Sequence, residues 1–257
     1  MKKCSFLLSG MMFCLFLWIG RISPVFAQEA TLEFEGRYWF PDLDSNVKVV
    51  QSGVGSTINV PSDLGVGNEN FPEGRLIWHT TENSRLRLTY TRATYEGDKT
   101  LTRTVQFDGQ TYTSGTRVTS EFELHYFSAG WIWQFLHFMD DKVQLGPMIE
   151  GKGIFADISL SSPTQSEREK MWGGLPTVGA ALDIAPFKQV KLYGEALGFW
   201  VGPLGNFFDA EVGIQVTPVK YVTLLGGYRF VDIEAEDDPD FVEVELSGFF
   251  VGGRLRF

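Results

Sequence analysis

The side chains best suited to acid–base chemistry near neutral pH are three histidines, His79, His125 and His137. His125 follows Glu121 and Glu123 at alternate positions, so all three side chains share one face of an extended strand. A carboxylate beside an imidazole can serve general acid–base catalysis. No serine with a matching local pattern accompanies His125. We therefore interpret it as part of a charge network and predict that the protein is not an enzyme.

Two acidic segments could hold a divalent cation. Residues 42–46 read Asp-Leu-Asp-Ser-Asn, which is the oxygen spacing that begins a calcium loop. However, Val47 stands where the loop needs glycine, and no glutamate follows at the required distance. The second segment, residues 234–240, contains five carboxylates, and such a charge run is usually a solvated loop. We therefore predict neither a metal site nor a cofactor.

The elements that must position these residues are strands, because apolar and polar residues alternate through most of the chain. The pattern predicts ten strands, at residues 31–40, 74–80, 85–95, 118–135, 143–155, 174–184, 190–200, 208–216, 222–233 and 242–257. Tight turns are predicted at 81–84, 137–142, 185–189 and 217–221. Longer loops are predicted at 41–72, 96–117, 160–171, 202–207 and 234–240. Short and long connections alternate, which is typical of transmembrane barrels.

Two local features modify this pattern. The loop at 96–117 contains a hairpin around Asp108-Gly109, so the third and fourth strands are expected to project as a ribbon. In the last strand the apolar positions are even up to Leu246 and odd from Phe249. This change predicts a β-bulge near Ser247 and Gly248.

Periodicity does not tell which face of a strand is buried, but aromatic residues gather at the strand ends, as in membrane-interface girdles. We therefore predict an all-β, antiparallel, up-and-down transmembrane barrel of about ten strands, with eight as the alternative. Its charged faces would point inward. The predicted lumen charge network consists of Glu33, Glu35, Arg37, Arg87, Glu121, Glu123, His125, Glu150, Lys152, Glu195, Asp209, Glu211, Arg229, Glu243 and Glu245.

Ten strands lie close to the size at which side chains fill a barrel. A packed polar lumen, and with it a structural or surface-interaction role, is therefore the favoured interpretation. A narrow channel for small solutes or cations, running through an acid-rich lumen, is the alternative.

The two ends of the chain indicate export. Lys2 and Lys3 precede an apolar run at residues 6–20, and the segment closes on Val25-Phe26-Ala27, so we predict a cleaved signal peptide at 1–27 and one barrel domain at 28–257. Both cysteines lie in the signal peptide. The remaining chain carries 19 basic residues, since Lys2, Lys3 and Arg21 are removed from 22, against 32 acidic ones. This balance argues against nucleic-acid binding.

The chain ends with Gly252, Leu255 and a terminal Phe257. This ending resembles the last strand of bacterial outer-membrane β-barrel proteins of the broad OmpA/OmpW-like kind, and we expect it to pair with the first strand. The resemblance implies the outer membrane of a Gram-negative bacterium. It also implies outer-membrane lipids, lipopolysaccharide and the barrel assembly machinery as partners, with those three residues as the assembly signal. We expect a monomer. Among small barrels, the omptin proteases resemble this chain in strand number and the lipid A deacylases are hydrolases too, but neither family's site is matched.

Overall fold

The computed structural model describes residues 31–48, 56–107, 110–164, 166–200, 202, 205–237 and 240–257. The predicted signal peptide and both cysteines lie outside these ranges. Ten long strands, numbered here in chain order, form one antiparallel sheet. They are β1 Thr31–Lys48, β2 Phe71–Thr81, β3 Ser84–Thr100, β4 Arg117–Trp133, β5 Val143–Ser161, β6 Ser166–Phe187, β7 Val190–Trp200, β8 Gly205–Val219, β9 Val222–Asp237 and β10 Asp240–Arg256.

The sheet closes into a barrel because β1 pairs with both β2 and β10. The pairing of β1 with β10 runs without interruption from Glu33 opposite Arg256 to Lys48 opposite Phe241. The amide of Phe257 extends this ladder by donating to the carbonyl of Leu32 at 2.9 Å. The predicted ten-stranded antiparallel barrel and its closing pair are confirmed, and the eight-stranded alternative is wrong.

The strands are longer than their apolar pattern predicted. The predicted loop at 160–171 is almost entirely strand, since β5 and β6 pair as far as Ser161 opposite Ser166. The predicted bulge is also wrong, because Ser247 and Gly248 pair in unbroken register with both β1 and β9. The apolar residues move from even to odd positions there because the strand passes into a region of the barrel with different surroundings.

Strand β1 shows this change within one element. In its first part Leu32 and Phe34 are exposed on the outside, whereas Glu33 and Glu35 are completely buried inside. In its last part Asp42 and Asp44 are exposed on the outside, and Leu43 and Val47 pack against an internal hydrophobic cluster. We call the first region, with charges inside and apolar residues outside, the lower barrel. The second region, with the opposite arrangement, is the upper barrel.

The upper barrel is filled partly by the chain between β1 and β2. A short strand, Thr57–Asn59, adds to the edge of β1, and helix α1, Val60–Leu64, follows it. The side chain of Asn59 caps this helix by accepting from the amide of Ser62 at 2.9 Å. Val60 and Leu64 are buried in the internal cluster. None of the helices in the described ranges is long and apolar enough to cross a membrane.

The hairpin between β3 and β4 also covers this end. Its strands, Val105–Phe107 and Gln110–Tyr112, form a separate two-stranded sheet on either side of the predicted turn, which itself lies outside the described residues. Val105 and Tyr112 are buried, and the Tyr112 hydroxyl donates to the carbonyl of Leu160 at 3.3 Å. The hairpin therefore folds back onto the barrel mouth instead of continuing β3 and β4 as a projecting ribbon. At the opposite end, a short strand Leu136–Phe138 pairs with the beginning of β5.

Candidate functional site

The candidate site is the charged interior of the lower barrel. Alternation places one residue in two on the inner face of each strand, and charged residues occupy that face on nearly every strand. Eight inward carboxylates come from Glu33, Glu35, Glu73, Glu150, Asp183, Glu195, Asp209 and Glu211. Eight inward cations come from Arg37, Arg75, Arg85, Arg87, Lys152, Lys191, Arg229 and Arg254.

Glu211 on β8 is the centre of one half of this network. Its carboxylate accepts from Arg37 Nη1 at 2.6 Å, from Arg75 Nη2 at 2.9 Å and from the Tyr193 hydroxyl at 2.7 Å. Arg37 also binds Glu35, and its guanidinium lies 4.4 Å from the centre of the Phe250 ring. The residues that meet here lie on opposite walls, so the contacts cross the lumen.

Asp209 is the centre of the other half. Arg229 donates to both of its oxygens, at 3.0 and 2.9 Å, and Lys152 donates to it at 2.9 Å. Arg229 continues to Glu73 at 2.7 Å, and Lys152 continues to Glu150 at 2.7 Å. Glu73 accepts from Arg75, which joins the two halves into one network. Such bonds satisfy charges whose burial without partners would be very costly.

The network continues toward both sides of the lower end. Arg87 bridges Glu195 at 2.6 Å and Glu150 at 3.1 Å. Asp183 lies 3.2 Å from both Arg85 and Lys191. At the lower rim Glu33 lies 2.5 Å from Arg256 and 3.3 Å from Arg254, and His79 contacts it at 3.3 Å.

Five residues assigned to the lumen from sequence are not there. Glu121, Glu123 and His125 lie on the outer face of β4, whose inner face carries Ser120, Phe122 and Leu124. Glu243 and Glu245 are exposed on the outer face of β10. These assignments are wrong because all five residues belong to the upper barrel, where the buried face is apolar. The other ten, Glu33, Glu35, Arg37, Arg87, Glu150, Lys152, Glu195, Asp209, Glu211 and Arg229, are brought together inside.

His125 lies on the outer surface of the barrel. Its Nδ1 lies 2.9 Å from the Tyr90 hydroxyl, and its Nε2 lies 3.4 Å from Glu123. Arg92 binds the same carboxylate at 2.6 Å. His137 lies in the lower turn region, 2.8 Å from Asp141. In the described part of the chain, therefore, no histidine lies beside a buried pair of carboxylates in the upper lumen.

Several interior residues were not singled out from the sequence. Glu73 precedes the predicted start of β2 by one residue, although its alternation with Arg75 is a usable signal. Tyr193 and Asp183 also follow the inward periodicity of their strands. Tyr126 on β4 is a further interior residue, because its hydroxyl accepts from Lys152 at 2.7 Å. Nothing in the local pattern of these residues indicates which partner they meet across the lumen.

The interior is filled and electrically balanced. A cavity of about 10 Å³, roughly the room of one water molecule, remains among Arg75, Arg87, Asp209 and Glu211. Eight carboxylates face eight cations, with Arg256 as a further cation at the rim. The expectation of an acid-rich lumen is therefore wrong. The acidic excess of the chain lies largely on the outer face of the upper barrel.

The segment whose oxygen spacing begins a calcium loop is not a loop in the structure. Residues 42–46 are part of strand β1, where Asp42 accepts from Asn68 at 2.5 Å and Asn46 contacts Asn59 at 3.0 Å. In the described part of the chain, no group of three or more histidine, cysteine, aspartate or glutamate side chains is arranged to hold a metal ion.

The predicted assembly-signal residues lie at the lower end of β10. Leu255 and Phe257 are exposed on the outside, at 46% and 74%. Gly252 faces inward, where a Cβ atom would stand 2.4 Å from the carbonyl oxygen of Gly36 and 3.1 Å from Arg37 Cγ. Gly252 therefore has a packing role beside the charged network, and recognition of the three residues by assembly machinery stays a prediction.

The chain is similar to known proteins in its fold, whereas its sequence matches none of the families or curated proteins compared with it. Among solved structures, the outer membrane protease OmpT from Escherichia coli has a TM-score of 0.57 at 9% identity, with 88% of this chain and 97% of OmpT covered. Ail, the attachment invasion locus protein of Yersinia pestis, covers 90% of this chain and 100% of its own at 14% identity and a TM-score of 0.37. The Neisserial surface protein A covers the same shares at 14% identity and a TM-score of 0.34. The chain has the fold of the outer-membrane β-barrels.

Proposed function

We propose that this chain is an integral outer-membrane barrel of a Gram-negative bacterium, closed to solutes, with a structural or surface-interaction role. The observation that supports the closure is the continuous ion-paired network that fills the lower barrel. The proposed membrane location rests on the outer surface and on the fold that the chain shares with OmpT.

The outer surface of the lower barrel is apolar on every side. Leu88, Val212 and Val251 are more than half exposed, whereas Glu33 and Glu35 behind the same wall are fully buried. An exposed apolar belt around a whole protein far exceeds the few hundred Å² tolerated in water. Lipid is the solvent that suits such a belt, and the pairing of β1 with β10 closes the sheet into a barrel within it.

A closed lumen follows from the cost of opening it. A conducting path would have to separate buried ion pairs such as Arg229 with Asp209 and then hydrate each partner. Removing one partner from a buried pair typically costs about 3–5 kcal/mol. The internal hydrophobic cluster, α1 and the hairpin cover the upper end as well.

The partners proposed for this barrel are the outer-membrane lipids, lipopolysaccharide and the barrel assembly machinery, with the barrel itself as a monomer. The acidic outer face of the upper barrel does not suit nucleic acid. A catalytic role is not proposed, because His125, which follows Glu121 and Glu123 in the sequence, faces outward beside Tyr90. Hydrolysis of peptide or lipid A that disappears with His125→Ala would contradict this view.

Planar-bilayer recording tests the closed barrel. Protein refolded in detergent should migrate differently before and after boiling, which shows that the barrel has formed. Inserted into a bilayer, it should then give no discrete conductance steps. As a positive control, the triple variant Arg75→Ala, Glu211→Ala and Arg229→Ala empties the middle of the lumen and should conduct if it folds. Discrete open levels in the unaltered protein would overturn the proposal.

A further inference from the structure

The barrel wall has an open seam between β6 and β7. Pairing of these strands ends upward at Val178 opposite Gly198. Strand β6 continues for twelve residues to Ser166, and there it pairs with β5 alone. Continuing the register by two residues would set Pro176 opposite Trp200. Proline has no N–H to give to the ladder, so it ends the pairing at this height.

The other free edge of the upper barrel is occupied by the chain itself. Above β2, the edge of β1 receives the short strand Thr57–Asn59, and α1 fills the space behind it. No residue in the described ranges does the same for the edge of β6 above Thr177. The contrast leaves the β6–β7 seam as the place where the wall can admit another molecule.

An apolar groove of about 550 Å³ lies at the foot of this seam. Volumes of about 300–1,000 Å³ are usual for small-molecule sites. Val178, Gly198, Trp200 and Phe208 supply its outer part, Phe199 and Phe207 supply its inner part, and Asn206 is the one residue of the lining with a polar amide side chain. Phe207 is 4% exposed, and Lys152 of the charged network lies 5.1 Å from the centre of its ring. Phe207 therefore lies between the groove and the interior network.

The surroundings of the groove indicate the chemistry of its occupant. Its outer part is continuous with the apolar belt, since Val178 and Trp200 are 64% and 77% exposed. A second polypeptide strand is disfavoured, because Pro176 and the charged side chains of Arg168 and Lys170 are features that block strand addition at an edge. Since the lining is apolar, a hydrocarbon chain matches it better than a polar ligand.

We propose that the β6–β7 groove binds an acyl chain of a membrane lipid. This inference rests on the proposed membrane location and deepens it by assigning one lipid-binding site in the wall. Bound lipid would cover Phe199 and Phe207, which ordinary lipids around the belt cannot reach from outside.

A photocrosslinking experiment identifies the occupant. Phe199 is replaced by p-benzoylphenylalanine, and the full-length barrel is refolded into vesicles of phosphatidylcholine and phosphatidylglycerol. After illumination, intact mass measurement should show a phospholipid adduct. Leu86, on the outer belt, is replaced in the same way as a reference, and it should give adducts from ordinary surrounding lipid.

Two glycine variants separate the groove from the belt. Gly198→Trp fills the groove, and its Cβ would meet ordinary contacts at 3.5 Å or more, so the adduct at position 199 should be lost. Gly36→Trp, on the outer face of β1 with no atom within 4 Å of the added Cβ, should leave that adduct unchanged. Adducts at position 86 with none at position 199 would contradict lipid binding in the groove but not the membrane location. A crosslinked dimer at 199 would assign the groove to a second copy and overturn it too. Loss of adducts at both positions, with no heat-modifiable migration, would overturn the membrane location itself.

Discussion

The lower and upper barrels share their long strands, and each strand turns the same face inward along its length, yet the residues on that face are of opposite kinds. The lower barrel hides ion pairs and exposes leucines, whereas the upper barrel hides a hydrophobic cluster and exposes carboxylates. Alternation fixes the two faces of a strand, and the solvent outside each region decides which kind of residue its outer face carries. Glutamates are therefore structural inside the lower barrel and solvated on the upper one.

The largest expected effect comes from removing a glutamate from the lower interior. Glu211→Ala leaves Arg37 and Arg75 without their shared carboxylate, so we expect a loss of about 3–5 kcal/mol in unfolding free energy. Urea unfolding in lipid vesicles, followed by tryptophan fluorescence, measures it. Glu245→Ala on the upper outer face is the matched control. It should stay within about 0.5 kcal/mol, or gain slightly, because Glu245 pairs opposite Asp44 and Asp232. Equal losses in the two variants would contradict the comparison.

Truncation of a leucine should have the opposite dependence on region, with the larger effect in the upper barrel. Leu64→Ala in α1 removes a buried side chain from the upper cluster, at a cost of about 2–5 kcal/mol to the docking of residues 56–70. Limited proteolysis of intact folded barrels should then cut this segment faster. Leu88→Ala, on the lipid-facing side of the lower barrel, should leave the cleavage rate unchanged. Resistance of the Leu64 variant to cleavage would show that α1 is held by other contacts.

An arginine introduced on the outer face should destabilise the lower barrel more than the upper barrel. Val212→Arg places a charge in the apolar belt, where Arg or Lys near the midplane costs about 2–4 kcal/mol. Glu234→Arg, on the outer face of the neighbouring strand β9 in the upper barrel, should cost little and relieves repulsion from Glu243 opposite. Folding yield and unfolding free energy in vesicles measure both. Similar costs at the two positions would place the membrane boundary elsewhere.

The smallest expected effect is a pH dependence confined to the upper end. Hydrogen bonding by Arg103 lowers the pKa of Asp63 below its usual range. A depressed pKa means that this bond contributes stability above the unfolded-state pKa and that the contribution is lost as pH falls through the folded-state pKa. The protection factor of residues 56–64, which is their exchange rate corrected for the intrinsic effect of pH, should therefore fall in acid, while β7 and β8 keep their protection. Asp63→Asn should remove this pH dependence, and its persistence in the variant would assign it to another group.

The prediction of the fold succeeded because alternation within a strand and turn residues between strands are local features of the sequence. Alternation and turn residues predicted ten strands, the short connections and the β1–β10 closure, and all of these are confirmed. The interior network was predicted in part. Glu33, Glu35, Arg37 and Glu211 were assigned to the lumen because membrane-facing strands keep their polar residues inside. Glu121, Glu123, His125, Glu243 and Glu245 were misassigned because the same rule was extended above the apolar belt.

The sequence by itself determined the class of fold and the order of pairing, since a two-residue period and tight turns leave few alternatives for an antiparallel sheet. Tertiary structure decided where along each strand the buried face changes from charged to apolar. It also decided that the inward charges balance, that the hairpin at 105–112 folds onto the barrel, and that the wall opens above Val178. These properties depend on which residues meet across the lumen. They also depend on where each residue lies along the barrel axis relative to the membrane. The period of two is the same on both sides of the membrane boundary, and the change of phase between them does not show which residues meet across the lumen.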